Sequence, residues 1–425
     1  MVEVRAGIVA TGSELVSGRI ADANGPWLAQ RLGELGVEVP FLLAVGDRPD
    51  ELAAALRFLA DAPVDLVVVS GGLGPTADDL TAEVVAAFAG TELVLDEAME
   101  ATIAEILASY AARMDISAEA LQVANRKQAM VPRGALALQP VGTAPGLVVR
   151  RDGGPLVVVL PGPPRELQAM WPAALAAPAM AELLAEVRPF GSVSLRFFSL
   201  PESEITATLT ELGARVDLAP LEITTCQRRS ELEVDIRFRP GAEAVSEAAV
   251  EGIVARHRKQ LVSTDGTTTD DQVAALLAGR RIGLAESCTG GLVAARLTDR
   301  PGSSDYVAGG VVAYSNDAKV SLLGVPGDLI ERHGAVSPEV ARAMADGARK
   351  RLDADIGCSV TGVAGPGGGT PDKPVGFVCF CVTTADGLVL AREVQLRGSR
   401  ADVRERSVDV AMHLIRRAAS GGAAS

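Results

Sequence analysis

Arg281-Ile-Gly-Leu-Ala-Glu-Ser-Cys-Thr-Gly-Gly-Leu-Val-Ala-Ala-Arg-Leu297 is the stretch on which the interpretation of this chain depends most. Its first part, residues 281–285, predicts a short buried strand, and residues 292–297 predict a helix. A hydroxyl, a thiol, a second hydroxyl and two glycines therefore lie at a strand-to-helix turn. Such a turn exposes a side chain and directs free helix N–H groups at a bound group. It suits a nucleophile with an oxyanion hole, and equally a tight packing turn.

Length and composition limit the class of protein. The 425 residues predict two or three domains, and 48% hydrophobic with 22% charged residues is typical of globular chains. A net charge of −14 argues against broad binding to nucleic acid or anionic membranes. The N-terminus carries no signal-peptide pattern, and the five cysteines have no disulfide or zinc spacing. We therefore expect a cytoplasmic protein with reduced thiols and with neither nucleic-acid nor membrane partners.

Residues 1–170 alternate apolar runs with helical periodicity, which predicts an α/β domain with a doubly wound parallel sheet. Ligands of such sheets gather beyond the carboxyl ends of the strands. Polar and glycine-rich turns are expected there, at residues 11–14, 46–47 and 70–81. A ligand site at this edge of the sheet follows.

The third turn has the composition of a phosphate site. Its glycines Gly71, Gly72 and Gly74 allow close backbone approach, and Thr76 adds a hydroxyl. The adjacent Asp78 and Asp79 would repel a phosphate unless a divalent metal bridged them. The alternative is that one of the two carboxylates caps the following helix.

Ser-Gly-Gly-Leu-Gly-Pro-Thr-Ala-Asp-Asp-Leu-Thr at 70–81, with the motifs at 11–15 and 18–32, resembles a domain shared by molybdenum-cofactor biosynthesis proteins and the CinA family. The motifs at 125–129, 142–146 and 160–166 favour the CinA family. The resemblance implies a molybdopterin-binding-like fold and a divalent-metal-dependent ADP-ribose pyrophosphatase that forms AMP and ribose 5-phosphate.

The same resemblance implies roles for individual residues. It places Mg²⁺ or a similar ion at Asp78, Asp79, Asp47 and Glu14, and it assigns substrate binding to Gly71, Gly72, Gly74, Thr76, Lys127 and Gly162. Many relatives have Gly-Asp-Glu-Leu where this chain has Gly12-Ser13-Glu14-Leu15. The missing carboxylate removes a metal or water contact, so the fold of this half is better supported than its activity.

Residues 171–260 predict a small α+β module that resembles a KH-type fold. The region lacks the G-x-x-G clamp with which RNA-binding KH domains hold phosphates. We therefore expect a spacer or dimerisation module. Cys226 is expected in the interior and His257 at the surface.

Residues 261–420 predict a further layered α/β/α domain, which begins with a polar linker and carries a glycine loop at 362–376. Activation of Ser287 by histidine would require His333 or His413, and neither has an acid placed to orient it. Lys319 follows a buried strand, and burial lowers the pKa of a lysine enough for it to act as a base. The alternative for Lys319 is a surface position on a polar helix.

Five motifs in this domain match the CinA C-terminal domain in order: 285–291, 314–319, 333–337, 361–376 and 398–404. The resemblance implies deamidation of nicotinamide mononucleotide (NMN) to nicotinate mononucleotide and ammonia, without a metal. It makes Ser287 the nucleophile, Lys319 the general base and Tyr314 an assisting residue. Arg400 would be a substrate-phosphate or active-site arginine, with Arg404 as the alternative, and Gly365 would also contact substrate.

Backbone N–H groups of Thr289, Gly290 and Gly291 are expected to hold the oxyanion. Cys288 is the rival nucleophile, but no histidine partner lies in its motif, which favours a packing role.

Three functions are compatible with the sequence. The first is a bifunctional pyridine-nucleotide enzyme, which we expect to be a homodimer that acts on NMN and ADP-ribose. The second is a nucleotide- or molybdopterin-binding protein whose N-terminal site is inactive. The third is an accessory protein of DNA uptake, against which the acidic charge and the missing G-x-x-G count.

Overall fold

Two units, Met1–Phe190 and Gly191–Ser425, make up the chain in a computed structural model that describes residues 3–111 and 118–421. The strands of the first unit are β1 (Arg5–Thr11), β2 (Glu38–Val45), β3 (Leu66–Ser70), β4 (Leu93–Leu95), β5 (Met130–Pro132), β6 (Leu136–Leu138), β7 (Gly146–Val149) and β8 (Leu156–Leu160). Its helices are α1 (Ser13–Val16), α2 (Asn24–Glu34), α3 (Pro49–Asp61), α4 (Thr81–Phe88), α5 (Glu97–Ala111), α6 (Ala118–Gln128), α7 (Pro164–Ala176) and α8 (Pro178–Leu184).

The main sheet of the first unit has the order β2-β1-β3-β8-β7-β6. The first four strands of that order are parallel, as the sequence predicts, and β7 and β6 are added antiparallel. Every residue of β3 and β8 is buried, because helices cover both faces of the sheet. Two separate apolar cores, one on each face, follow from this doubly wound arrangement.

The second unit begins with β9 (Gly191–Phe198), α9 (Glu202–Gly213), β10 (Leu221–Arg228), β11 (Glu231–Phe238), α10 (Glu243–His257) and β12 (Leu261–Ser263). These strands form an antiparallel sheet of order β10-β11-β9-β12, whose apolar side packs against α9 and α10. Val262 and Ser263, which the sequence places at the start of a polar linker, belong instead to β12, the last strand of this sheet. The chain becomes a helix only where Thr268 and Asp271 form a reciprocal capping box.

The rest of the second unit has the strands β13 (Ile282–Glu286), β14 (Val307–Val312), β15 (Ile356–Gly362), β16 (Phe377–Thr384) and β17 (Val389–Gln395). Its helices are α11 (Thr269–Leu276), α12 (Leu292–Thr298), α13 (Asn316–Leu323), α14 (Gly327–His333), α15 (Pro338–Arg351) and α16 (Arg400–Ala419), with a 3-10 turn at Ser303–Asp305. The sheet order is β14-β13-β15-β16-β17, and apolar cores lie on both of its faces. The predicted α/β class is confirmed.

Two residue assignments in the middle region were wrong. Cys226 is exposed, because its strand β10 lies at the edge of the sheet. His257 is 4% exposed, and its Nε2 lies 2.7 Å from the hydroxyl of Thr208. The domain boundaries near residues 170 and 260 remain predictions. Phe198 of β9 belongs to the same apolar core as the strands of the C-terminal sheet.

In the described ranges, 3–111 and 118–421, no helix combines the length and apolar character needed to cross a membrane.

Candidate active sites

Three parallel strands of the C-terminal sheet end at one edge. Strand β13 lies between β14 and β15, with Glu286 opposite Val312 on one side and Val360 on the other. The residues that follow these strands therefore meet, as expected at the carboxyl ends of parallel strands. This edge brings the turn after Glu286 next to the segment that leads to Lys319.

Ser287 and Lys319 are in contact at this edge. The Nζ atom of Lys319 lies 3.1 Å from Oγ of Ser287, 3.0 Å from the carbonyl oxygen of Ala313 and 3.4 Å from that of Tyr314. Lys319 is 2% exposed and Ser287 is 8% exposed. The alternative of a surface lysine does not fit this position.

The surroundings of Lys319 shift the protonation equilibrium of its amine toward the neutral form. Burial lowers the pKa of its amine, although the neighbouring Cys288 acts in the opposite direction. Among the described residues, no carboxylate forms an ion pair with it. A neutral amine has two N–H donors and one lone pair, which match two carbonyl oxygens and one hydroxyl. In this geometry, the lone pair of a neutral Lys319 can accept the hydroxyl proton of Ser287.

The carboxylate of Glu286 holds the start of α12. Its Oε2 accepts hydrogen bonds from the amides of Gly291 at 2.9 Å and Val293 at 3.1 Å, and its Oε1 accepts one from Ala294 at 2.9 Å. Glu286 is 2% exposed. It satisfies helix N–H groups that would otherwise lack partners, and negative charge is favoured at that helix end. No role for Glu286 was predicted from the sequence.

These contacts correct the predicted oxyanion hole. The amide of Gly290 donates to the carbonyl of Ser287 at 3.1 Å, and that of Gly291 donates to Glu286. Neither amide is available to an oxyanion while these bonds persist. Of the three predicted donors, only the Thr289 amide has no oxygen acceptor among the described residues, and it lies against the Cys288 thiol.

Arg400 connects two predicted site residues. Its guanidinium donates to the carbonyl of Gly365 at 2.8 Å and to the hydroxyl of Tyr314 at 2.7 Å. The Tyr314 side chain is 60% exposed and contacts Arg400, whereas only its backbone carbonyl contacts Lys319. The Tyr314 hydroxyl is therefore placed to orient Arg400, and its assistance to the reacting pair remains a prediction.

Arg404 points into the turn that carries Ser287, at residues 287–291. It donates to the carbonyls of Cys288 at 3.1 Å and Thr289 at 2.9 Å. Arg404 thus braces the turn, while Arg400 remains exposed. Of the two arginines, Arg400 is the one whose position suits a substrate phosphate.

The rival catalytic groups have other environments. All five cysteines lie in the described part of the chain and are free thiols, and burial raises the pKa of Cys288 to about 12. His413 stacks on Phe198 with ring centroids 4.1 Å apart, and its burial lowers its pKa to about 3. The Nδ1 atom of His333 lies 3.5 Å from a carboxylate oxygen of Glu339, so the prediction that no acid is placed near this histidine was wrong.

The first unit has a cavity of about 570 Å³ at the carboxyl ends of β1, β2, β3 and β8. Eight predicted site residues line it: Glu14, Asp47, Gly71, Gly72, Gly74, Asp78, Asp79 and Gly162. Thr76 and Lys127 are not in its wall, and the Lys127 ammonium donates to the carbonyl of Thr76 instead. The edge of this sheet at which a ligand was expected therefore forms a cavity. Lys127 lies outside its wall and supports the glycine-rich loop that contains Thr76.

The glycine-rich loop requires its glycines. Gly72 has φ +67, and a Cβ atom there would lie 2.1 Å from the Thr81 hydroxyl. Neither Asp78 nor Asp79 caps α4, whose N-cap is Leu80. Instead both carboxylates accept from Thr76, at 2.5 Å for Asp79, and the Thr76 hydroxyl lowers the pKa of Asp78.

The carboxylates around this cavity do not form a resident metal centre. Among the described residues, no three His, Cys, Asp or Glu side chains are grouped closely enough to hold an ion. Asp47 accepts from the Ser13 amide at 2.8 Å. Mg²⁺ commonly uses only one or two carboxylates, with substrate phosphates supplying further oxygens. Asp78 and Asp79, whose carboxylates both accept from Thr76, are the neighbouring pair that could hold such an ion.

Two further cavity residues were missed as candidates. Asn24 donates from Nδ2 to Ser70 at 2.8 Å and to the carbonyl of Gly162 at 2.7 Å, fixing two of the loops to each other. Glu166 lines the cavity, and burial raises the pKa of its carboxyl group. Its place in a Pro-Gly-Pro-Pro-Arg-Glu run after a buried strand was the available signal.

Known proteins match both units. Residues 266–419 match the family described as the CinA C-terminal domain, and residues 7–182 match the probable molybdopterin binding domain. The chain is 57% identical over 424 residues to a CinA-like protein of Mycolicibacterium vanbaalenii, which covers 99% of this chain and 100% of that protein. A CinA-like protein of Mycobacterium tuberculosis is 53% identical over 425 residues, with 99% and 98% covered.

Solved structures cover parts of the chain. The crystal structure of the CinA protein from Thermoplasma acidophilum is 35% identical, covers 41% of this chain and 97% of its own, and has a TM-score of 0.36. The competence/damage inducible protein from Agrobacterium tumefaciens is 38% identical, covers 36% and 96%, and has a TM-score of 0.34. Because relatives more than 50% identical span 99% of its length, this chain belongs to the CinA family.

Proposed function

We propose that the C-terminal site hydrolyses the carboxamide of NMN to nicotinate mononucleotide and ammonia. The observation that carries the proposal is the 3.1 Å contact between Ser287 Oγ and the buried amine of Lys319. The geometry supports an amide- or ester-cleaving serine hydrolase, and the pyridine nucleotide is the substrate implied by the family resemblance. This chemistry assigns no step to a metal.

In the proposed reaction, Ser287 Oγ attacks the carboxamide carbon while Lys319 accepts the hydroxyl proton. The oxygen of the tetrahedral intermediate becomes negative and is held by the Thr289 amide. Lys319 then protonates the departing nitrogen, the C–N bond breaks, and ammonia leaves an ester on Ser287. A water molecule, deprotonated by Lys319, attacks that ester, so the acid is released and the Ser287 hydroxyl is restored.

The surrounding residues would position the substrate. Arg400 has a guanidinium that is exposed on one side and held by Gly365 and Tyr314 on the other, which suits a phosphate. The ring of Tyr314 is exposed and held by Arg400, and it would offer an apolar face for the pyridine. We further propose a cytoplasmic homodimer, which gel filtration with light scattering would test.

We also propose that the N-terminal cavity hydrolyses ADP-ribose to AMP and ribose 5-phosphate. The support is the phosphate-type loop Gly71–Gly74 beside Asp78 and Asp79 in one cavity. A divalent cation bound with the diphosphate would neutralise its charge and polarise the scissile phosphate. The carboxylate oxygens of Asp78 and Asp79 would be the protein ligands of this cation.

A second candidate for this half is nucleotide or pterin binding without hydrolysis. It is favoured by the absence of a metal-holding cluster among the described residues and by Ser13, which bonds to Asp47 where many relatives carry a carboxylate. AMP formation from ADP-ribose separates the two functions. Hydrolysis that is abolished by EDTA and by Asp78→Ala supports the enzyme, and tight binding without AMP supports the binding protein.

For the C-terminal half, the test is product identification. Wild-type protein incubated with NMN is expected to release one ammonia for each nicotinate mononucleotide formed, and Ser287→Ala is expected to release none above background. Formation of nicotinamide instead would show cleavage of the glycosidic bond and would overturn the amidase proposal.

A further inference from the structure

A buried ion-pair network lies behind the C-terminal site. The guanidinium of Arg296, on α12, donates to both carboxylate oxygens of Asp270 at 2.8 and 3.2 Å. It also donates to Asp409 of α16 at 2.6 Å. The side chains of Arg296 and Asp409 are 11% and 8% exposed. Pairs shielded in this way are far less screened by water than surface pairs, so their geometry is strongly defined.

The network joins the two helices that build the site. Helix α12 starts directly after the turn that carries Ser287, and its first amides bond to Glu286. Helix α16 starts with Arg400, and one turn later its Arg404 donates to the carbonyls of Cys288 and Thr289. A change in the distance between α12 and α16 would therefore displace the turn at residues 287–291, which we call the catalytic turn, relative to Arg400 and Arg404.

The tip of the β10–β11 hairpin closes this network from the middle module. Ser230 donates to the second carboxylate oxygen of Asp409 at 2.7 Å, and Arg229 lies 3.0 Å from Asp270. Both tip residues have left-handed backbones, with φ 48 and φ 59. Asn-Gly is the usual choice at such a two-residue turn, because other side chains are disfavoured there. Arg229 and Ser230 thus adopt backbone conformations that are unfavourable for their residue types, and their side chains contact the network.

We propose that Arg229, Ser230 and Arg296 are positioning residues of the amidase, and that the middle module acts through this hairpin tip to hold the catalytic turn. The inference rests on the proposed amidase function. It gives the middle module a role other than spacing or dimerisation. The module also stacks Phe198 on His413 of α16, so it touches that helix at two places.

The test replaces the tip without weakening the turn. Arg229→Asn combined with Ser230→Gly creates the sequence that a two-residue turn prefers, yet it removes both contacts to the network. The control is Arg256→Ala, which deletes the ion pair with Glu211 on the outer surface of the same module. Arg229→Lys, which keeps the charge opposite Asp270, is the conservative variant.

Two readouts are measured on the full chain. The first is hydrogen exchange of the peptide that covers residues 286–296, whose amides report the catalytic turn without any substrate. The second is the kcat and KM of ammonia release from NMN. In the double variant we expect exchange to accelerate in this peptide and kcat to fall about tenfold, with a smaller change in KM.

Arg229→Lys should retain most of the wild-type rate, and Arg256→Ala should match wild type in both readouts. The thermal midpoint of the double variant, measured as the control for folding, should stay close to wild type because the better turn offsets the two lost contacts. Unchanged exchange and unchanged kcat in the double variant would overturn the inference. If wild type itself forms no ammonia, the amidase function fails, and with it the inference that rests on it.

Discussion

The amine of Lys319 lies 3.1 Å from the hydroxyl oxygen of Ser287, although 32 residues separate them in the chain. The two residues follow neighbouring parallel strands, so the sheet itself sets their contact. Two carbonyl oxygens take two N–H groups of Lys319. The hydrogen bond with Ser287 is therefore donated by the third N–H when the amine is charged, and accepted by the amine lone pair when it is neutral. The second state is the one that amide hydrolysis requires.

The rate of ammonia release should depend on pH through Lys319. Burial holds the pKa of this amine below its ordinary value of 10.5. Because only the neutral amine accepts a proton, kcat/KM should fall as the pH drops below the lowered pKa, by about tenfold per unit. The measurement is a pH profile of kcat/KM, with circular dichroism at each pH as the control for unfolding. A flat profile that extends to acid pH would contradict the role of base.

Glu286→Gln should destabilise the catalytic turn. The wild-type carboxylate accepts three amide hydrogen bonds, whereas an amide side chain turns one acceptor into a donor that faces N–H groups. We expect the free energy of unfolding to fall by about 1–3 kcal/mol and kcat to fall with it. Chemical denaturation measures the first quantity. Glu405→Gln, at a position exposed on α16, is a matched control, and an equal effect there would remove the special role of Glu286.

The two arginines should separate in steady-state kinetics. Arg400→Ala should mainly raise the KM for NMN, because the proposed phosphate partner is lost. Arg404→Ala should mainly lower kcat, because the carbonyls of Cys288 and Thr289 lose their brace. Nicotinamide riboside, which has no phosphate, provides the control substrate. Arg400→Ala should hardly affect its turnover, and an equal loss with both substrates would contradict phosphate binding.

Ser13→Asp should make the first unit responsive to magnesium. The Ser13 amide and hydroxyl face Asp47, so a carboxylate at residue 13 would repel Asp47 in the absence of a cation. We expect a lower thermal midpoint than wild type in EDTA and a larger gain on addition of Mg²⁺. Ser13→Asn is the uncharged control. The same response in both variants would argue against a cation position at this turn.

Much of the architecture could be predicted because it depends on local pattern. Alternating apolar runs predicted the parallel strands, and the strand-to-helix turn at Ser287 lies where the sequence placed it. The contact of Ser287 with Lys319 also follows from strand order, although its catalytic role remains a prediction. The oxyanion donors could not be placed in this way, since the carboxylate of Glu286 folds back to take the Gly291 amide and the carbonyl of Ser287 takes the Gly290 amide.

Side-chain environments in the middle module were less predictable. Cysteine is usually buried, but Cys226 lies on an edge strand, and histidine is often exposed, but His257 faces Thr208 in the core. Neither position follows from residue type, because each depends on how the sheet packs on α9 and α10. The link from Ser230 to Asp409 joins residues 179 apart and has no local signal.

Ammonia release from NMN by wild type, Ser287→Ala, Lys319→Ala and Cys288→Ala is the most direct test of the serine–lysine account. We expect activity in wild type and in Cys288→Ala, because burial raises the pKa of the Cys288 thiol to about 12 and so disfavours the nucleophilic thiolate. We expect a loss of at least about 10³-fold in the Ser287 and Lys319 variants. Full activity in either of these two, or its loss in Cys288→Ala with the fold intact, would contradict the account.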